Sequence, residues 1–173
     1  MNTEALKAVG YVSRASMPVD SIELAILEDE ARTNNVLADI TGLLVFDSGC
    51  FVQVLEGPAG AVDATLARIR RDMRHEDLEL VLDTPISARS FGRWALASVD
   101  LRAPAASVDI GDLAGDLAHF LERIDQSQPR TGLMLLSAFQ QVLSLLGKMR
   151  GAGRVDPDPS VTFDSFRPPA DRH

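Results

Sequence analysis

The chain has 173 residues, of which 46% are hydrophobic, enough for one globular domain with a full core. Its net charge of -8 argues against nucleic acid or an anionic membrane as a partner, because both favour basic surfaces. The single cysteine, Cys50, excludes an internal disulfide, and no apolar run approaches the roughly 18 residues of a membrane helix. We therefore expect a soluble cytoplasmic protein.

The N-terminal part predicts a strand followed by a helix. Residues 8–14 are typical of a strand, and Asp20 with Glu23 three residues later forms a helix capping signal. We expect this helix to end at Asn34 and Asn35, since asparagine is poor in a helix interior and good at a helix end.

The next segment predicts a β-hairpin with one unusual residue. Residues 40–46 and 49–55 are apolar runs joined by a short polar loop. Gln53 interrupts the second run, and a buried amide needs partners for two donor hydrogens and one acceptor oxygen. We therefore expect a polar group in the core to bind Gln53. Cys50 begins this run and is interpreted as a small buried hydrophobe.

A second helix is predicted after the glycine and proline residues at 57–60. Its apolar face follows helical spacing through Val62, Leu66, Ile69 and Met73. Arg68 and Asp72 are spaced as an i,i+4 ion pair. The last turn is predicted to be basic, which suits the helix dipole, through Arg70, Arg71, Arg74 and His75.

Two more predicted strands, at residues 79–85 and 94–99, complete the order βαββαββ. Two helices can then cover one face of a mostly antiparallel sheet, so the fold class is α+β, a ferredoxin-like sandwich. This domain is expected to span residues 1–100.

Two C-terminal helices are predicted within residues 101–150, before a loose tail at 151–173. The second, over 132–148, is apolar nearly all round. We expect the pair to cover the other sheet face and to mediate homo-oligomer formation. The first carries apolar residues at helical spacing, namely Leu113, Leu117, Phe120, Leu121 and Ile124.

Several motifs, taken together over about residues 6–100, resemble the BLUF domain, a blue-light sensor that uses FAD. The matching motifs are Tyr11-x-Ser13, Asn34-Asn35, Ile40-Thr-Gly-Leu43, Phe51-x-Gln53-x-Leu-Glu-Gly57, Arg68-x-x-x-Asp72 and Arg89-x-Phe-x-x-Trp94. The spacings between these motifs agree with the family as well as the residue types.

The resemblance implies that FAD, or alternatively FMN, binds between the two helices on one sheet face. A flavin ring needs aliphatic walls and a few amide groups, and its phosphates need positive charge. Arg68 is the first candidate for the phosphates and Arg89 a weaker one. The implied cofactor-binding residues are Tyr11, Ser13, Leu27, Asn34, Asn35, Leu44, Phe51, Gln53, Arg68, Ile69, Asp72, Arg74 and His75.

The family mechanism implies that Tyr11 donates its hydroxyl to Gln53, which hydrogen-bonds the flavin. Blue light would move an electron and a proton from Tyr11 to the flavin, after which Gln53 returns rotated or tautomerised. Trp94 and Leu96 would relay the signal to the C-terminal helices. Leu96 stands where many family members carry methionine. Its similar volume should leave the fold intact, while the loss of the flexible thioether bears on how the signal leaves the pocket and how fast the lit state decays.

Other functions are open at the level of sequence. The 73 residues after position 100 are too few for a cyclase or phosphodiesterase, so we expect no enzyme activity and an output through a partner protein or an oligomer change. A ferredoxin-like oligomerisation or regulatory module is the main alternative. An acylphosphatase-type hydrolase lacks the required glycine-rich loop after the first strand. The three histidines show no metal-ligand spacing, so no metal site is predicted.

Overall fold

The computed structural model describes residues 5–103 and 113–123, together with residues 137, 139 and 140. The predicted order βαββαββ is confirmed. The elements are β1 (Leu6–Ala15), α1 (Ser21–Leu37), β2 (Thr41–Asp47), β3 (Cys50–Pro58), α2 (Ala59–Ile69), β4 (His75–Ile86), β5 (Ala97–Asp100) and α3 (Leu113–Arg123).

The five strands form one mostly antiparallel sheet in the order β4-β1-β3-β2-β5. The pairs β1–β3, β1–β4 and β2–β3 are antiparallel, and only β2–β5 is parallel. Tyr11 lies opposite Gln53, and Gln53 lies opposite Leu44. Directly opposed residues share a sheet face, so these three side chains form a row across β1, β3 and β2.

The helices α1 and α2 cover the face that carries this row. Leu24 of α1 packs in a buried cluster with Leu44 and Phe51, while Val62 of α2 packs in a second cluster with Leu55. Alternation along the strands sends their remaining apolar side chains to the opposite face.

The opposite face is covered by α3. The sheet contributes Leu43, Val45, Val52 and Val54 to a buried cluster that also contains Leu113, Leu117, Phe120 and Phe139. Phe139 falls in the predicted second C-terminal helix, where the three described residues are helical. The rest of that helix, Ile124 and the tail at 151–173 lie outside the described residues. None of the helices in the described residues has the length and hydrophobicity that a membrane span requires.

The start of α1 is as predicted, but its end is two residues later. The Asp20 side chain accepts hydrogen bonds from the Ile22 and Glu23 amides, and the Glu23 side chain accepts one from the Asp20 amide, which forms a capping box. The carbonyls of Asn34 and Asn35 then accept from the Ala38 amide, so both asparagines lie in the last turn.

The predicted end of α2 is wrong. The helix stops at Ile69 and the chain turns, because the Asp72 amide donates to the Ile69 carbonyl at 3.0 Å. Met73 therefore leaves the apolar face and is 89% exposed. His75 begins β4 instead of ending a helix, so β4 is longer than predicted and the basic last turn is reduced to Arg68.

The predicted start of the last strand is also wrong. The Trp94 amide donates to the Phe91 carbonyl at 2.9 Å, which closes a turn. Pairing with β2 begins only at Ala97, opposite Leu43. Trp94 and Leu96 thus lie in the segment that leads into β5.

Candidate functional site

A pocket lies between α1 and α2, above the row formed by Tyr11, Gln53 and Leu44. Eleven of the thirteen residues that were predicted to bind the cofactor line this pocket. The other two, Ser13 and Phe51, do not line it. The lining residues are Tyr11, Leu27, Glu30, Ala31, Asn34, Asn35, Leu44, Gln53, Thr65, Arg68, Ile69, Asp72, Arg74 and His75.

The floor of the pocket holds a hydrogen bond between Tyr11 and Gln53. The Tyr11 hydroxyl donates to Oε1 of Gln53, and the two side chains are 1% and 4% exposed. Burial raises the pKa of Tyr11 well above its ordinary value, and the negative charge of Asp72 raises that pKa further. The phenol is therefore protonated at neutral pH and donates the hydrogen bond to Gln53.

Two amides on different elements face the same pocket. Because Tyr11 occupies Oε1 of Gln53, the Gln53 amino group is the donor that this side chain offers to a ligand. Asn35, also buried, donates from Nδ2 to the Ala95 carbonyl at 2.8 Å, which leaves its Oδ1 as the acceptor. The pocket thus presents both a donor and an acceptor to a polar ring edge.

The charged side of the pocket is organised by Arg74. Its guanidinium donates to both carboxylate oxygens of Asp72, at 2.7–3.1 Å, and to Glu30 at 2.8 Å. These hydrogen bonds lower the pKa of Asp72 and raise that of Arg74. The predicted Arg68–Asp72 pair is therefore wrong, because the chain turns after Ile69 and brings Arg74 to Asp72 instead. Arg68 remains a cation on the pocket lining.

His75 connects the pocket to the two predicted residues that do not line it. Its Nδ1 lies 2.9 Å from the Ser13 hydroxyl, and its ring centroid lies 4.8 Å from that of Phe51. Burial lowers the pKa of His75, so the imidazole is neutral at pH 7. Ser13 and Phe51 therefore contact a lining residue, His75, without lining the pocket themselves.

Three further predicted residues lie outside the pocket. Arg89 donates to the carbonyl and carboxylate of Asp39 at 2.8 and 2.7 Å, and it is not among the residues that line the pocket. Leu96 is buried beside Leu44 in the cluster under α1. Trp94 packs against the opposite face of the sheet instead.

Four residues of interest were missed by the sequence analysis. Ala31 follows Leu27 by one helical turn, and Thr65 precedes Ile69 by one turn, so helical spacing could have identified both. Glu30 lies one turn before Asn34, so the same spacing could have identified it as well. Glu56 is buried, and its carboxylate accepts hydrogen bonds from the Ser90 and Phe91 amides at 2.8 and 2.9 Å.

The lining fits a flavin by the chemistry of its donors. Leu27, Leu44 and Ile69 provide aliphatic walls for a flat ring, while Gln53 and the asparagines provide amide groups for its polar edge. Arg68 provides a cation for a phosphate. Within the described residues, no group of three or more histidine, cysteine, aspartate or glutamate side chains could hold a metal ion.

Comparison with known sequences gives a family match and distant relatives. A sequence model of the BLUF family, "Sensors of blue-light using FAD", matches residues 6–97. The photoactivated adenylate cyclase subunit alpha of Euglena gracilis is 34% identical over 129 residues, which are 74% of this chain and 13% of that protein. Subunit beta of Euglena longa is 31% identical over 134 residues, 77% of this chain and 16% of that protein. The chain thus spans about a seventh of these curated relatives.

Comparison with solved structures gives the same fold. The dark-state structure of BlrB, a BLUF protein, has a TM-score of 0.58 at 28% identity and covers 81% of this chain and 96% of its own. A bacterial light-regulated adenylyl cyclase has a TM-score of 0.56 at 26% identity and covers 68% of this chain and 34% of its own. The predicted ferredoxin-like class and the predicted family are both confirmed.

Proposed function

The chain belongs to the BLUF family of blue-light sensors that use FAD, and we propose that its signal is a rearranged hydrogen bond between Tyr11 and Gln53. One observation carries this proposal. The Tyr11 hydroxyl donates to Gln53 on the floor of a pocket whose lining suits a flavin ring. The protein is therefore a blue-light flavin sensor, and the proposal concerns how its residues store the signal.

The proposed cofactor is FAD, with FMN as the alternative. When bound, the flavin supplies absorption of blue light and an acceptor for one electron. The amides of Asn34, Asn35 and Gln53 would hold the polar edge of the ring. Arg68 and Arg74 line the same pocket as Asp72, and their guanidinium groups suit phosphate oxygens.

Tyr11 is the proposed donor of both the electron and the proton. Loss of an electron makes a phenol strongly acidic, so the proton would pass along the existing hydrogen bond to Oε1 of Gln53. Gln53 would then rotate, or pass a proton from its amino group to the bound flavin. Tyr11 would take back the electron from the flavin and a proton through Gln53. Atoms and charge are restored, and only the orientation or tautomer of Gln53 differs.

The stored free energy is small. One rearranged buried hydrogen bond is worth about 0.5–1.5 kcal/mol, which biases a two-state element without unfolding the domain. We propose that the output passes through the C-terminal helices to a separate protein or to a change of homo-oligomer, without catalysis by this chain. The packing of α3 against the sheet supports this route.

Two variants test the proposal in light-minus-dark absorption spectra. Tyr11→Phe removes the phenolic donor and Gln53→Leu removes the amide. Each variant is expected to bind flavin and to lose the reversible red shift. Thr65→Val, a change of similar size in the same pocket, should keep the shift. A normal red shift in either Tyr11→Phe or Gln53→Leu would contradict the proposed switch.

A further inference from the structure

The segment of residues 93–96 lies beside β2 and directs its side chains to both faces of the sheet. Leu96 packs on the pocket side, in the cluster that contains Leu44 and Phe51. Trp94 packs on the opposite side, against the cluster that contains Leu113 and Leu117 of α3. Side chains two residues apart therefore touch the pocket layer and the α3 layer.

One residue of the pocket lining is hydrogen-bonded to the backbone of this segment. Asn35 lines the pocket and donates from Nδ2 to the Ala95 carbonyl at 2.8 Å. The neighbouring Trp94 carbonyl accepts from the Gly42 amide at 3.0 Å. A displacement of the Asn35 side chain would thus be transmitted to the peptide groups on either side of Ala95.

Asp116 of α3 holds the other end of the segment. Its Oδ2 accepts a hydrogen bond from Nε1 of Trp94 at 2.9 Å. Its Oδ1 lies 3.4 Å from the Arg93 guanidinium. The Asp116 side chain is only 18% exposed, whereas that of Arg93 is 63% exposed, so the bond to the indole is the better shielded of the two.

We propose that Asp116 is a positioning residue that couples α3 to the flavin pocket through Trp94. The contacts run from Asn35 to Ala95, from Trp94 to Asp116, and from Asp116 into a helix buried by Leu113 and Leu117. This inference rests on the proposed function, because a light-driven change in the pocket must reach Asn35. The Trp94–Asp116 hydrogen bond is then the contact that changes when the segment moves.

The chain allows a site-specific test because Trp94 is its only tryptophan. A proton–nitrogen NMR spectrum of the full flavin-loaded protein contains a single indole resonance. We expect Asp116→Ala to move this resonance upfield in the dark, because the strong carboxylate acceptor is lost. In the wild type, blue light should move the resonance reversibly, and Asp116→Ala should reduce that displacement at least twofold.

A double-mutant cycle of dark-recovery rates distinguishes coupling between Asp116 and Trp94 from a merely structural role of Asp116. Asp116→Ala is expected to change the rate of dark recovery at least twofold while the size of the red shift stays normal. In a Trp94→Phe background, the same substitution should have no further effect, because Asp116 acts through the indole. Glu122→Ala, which removes an exposed carboxylate from the same helix, should leave the indole resonance and the recovery rate unchanged.

Asp116→Asn replaces the alanine variant if that variant does not fold, since it keeps the side-chain shape and weakens the acceptor. An indole resonance that is unaffected by these substitutions, or by light while the red shift is normal, would overturn the role of Asp116. An additive effect in the Trp94→Phe background would overturn it as well. Absence of a red shift in the wild type would instead overturn the proposed function.

Discussion

At the level of single residues, the site depends on two side chains that are 42 positions apart in the chain. Tyr11 and Gln53 become neighbours because β1 and β3 pair antiparallel with these residues directly opposite. The amide within an apolar strand identified Gln53 as a residue that needs a polar partner, and the resemblance to the BLUF family identified Tyr11 as that partner. The spacing alone did not reveal their contact, which follows from strand register.

The raised pKa of Tyr11 predicts a photoreaction that does not depend on pH in the alkaline range. A tyrosine in water is half ionised near pH 10, whereas burial and the Asp72 charge raise the Tyr11 pKa above that value. The neutral phenol therefore remains the donor to Gln53. We expect the size of the red shift to stay constant from pH 7 to pH 10, as measured by difference spectra on folded protein.

A matched change at the pocket rim serves as a control for the pH series. Glu30→Gln removes one charge beside Arg74 without touching Tyr11, and it should give the same flat profile. A loss of the red shift with a midpoint below pH 10, while circular dichroism still shows folded protein, would rule out a raised Tyr11 pKa.

Pairing partners at single residues were the least predictable feature. Asp72 bonds to Arg74 rather than Arg68, and Arg89 bonds to Asp39. Each choice depends on where the backbone turns, which local spacing does not specify. The position of Trp94 on the α3 side depends on a residue more than twenty positions later in the chain.

At the level of elements, helical and strand periodicity predicted most of the sheet and both covering helices. The strong signal at Asp20 and Glu23 placed the start of α1 correctly. The end of α2 was misplaced because Met73 continues the helical apolar pattern by chance, while the chain has already turned at Ile69. Ends of elements follow from tertiary contacts that a periodic pattern does not contain.

The close pairing of β2 with β3 makes Gly42 a sensitive position. A β-carbon on Gly42 would overlap the Val54 carbonyl oxygen and lie 3.3 Å from the Leu55 α-carbon. We expect Gly42→Ala to lower the free energy of unfolding by about 3 kcal/mol, measured by chemical denaturation.

Gly115 in α3 is the matched control for this substitution. A β-carbon there meets no atom within 4 Å, and alanine is favoured over glycine in a helix by about 1 kcal/mol. Gly115→Ala should therefore raise the free energy of unfolding. If Gly42→Ala proved as stable as the wild type, the register of β2 against β3 would be incorrect.

At the level of the whole molecule, one sheet separates the flavin pocket from α3. Alternate apolar side chains of β2 and β3 belong to the buried clusters on the two faces of the sheet. A displacement of these strands on the pocket side therefore also displaces side chains that pack against α3. The sequence predicted this two-sided arrangement because both hairpin strands are apolar at most positions on both of their faces. It did not predict the segment of residues 93–96, whose path depends on Asn35 and Asp116 together.

The switch between Tyr11 and Gln53 can be observed in the absorption spectrum of the purified flavin-loaded protein, recorded before and after blue light. The buried Tyr11–Gln53 hydrogen bond predicts a small red shift of the flavin band that reverses in the dark, without bleaching or a covalent adduct. A protein that binds flavin and shows an unchanged spectrum under blue light would contradict the proposed hydrogen-bond switch.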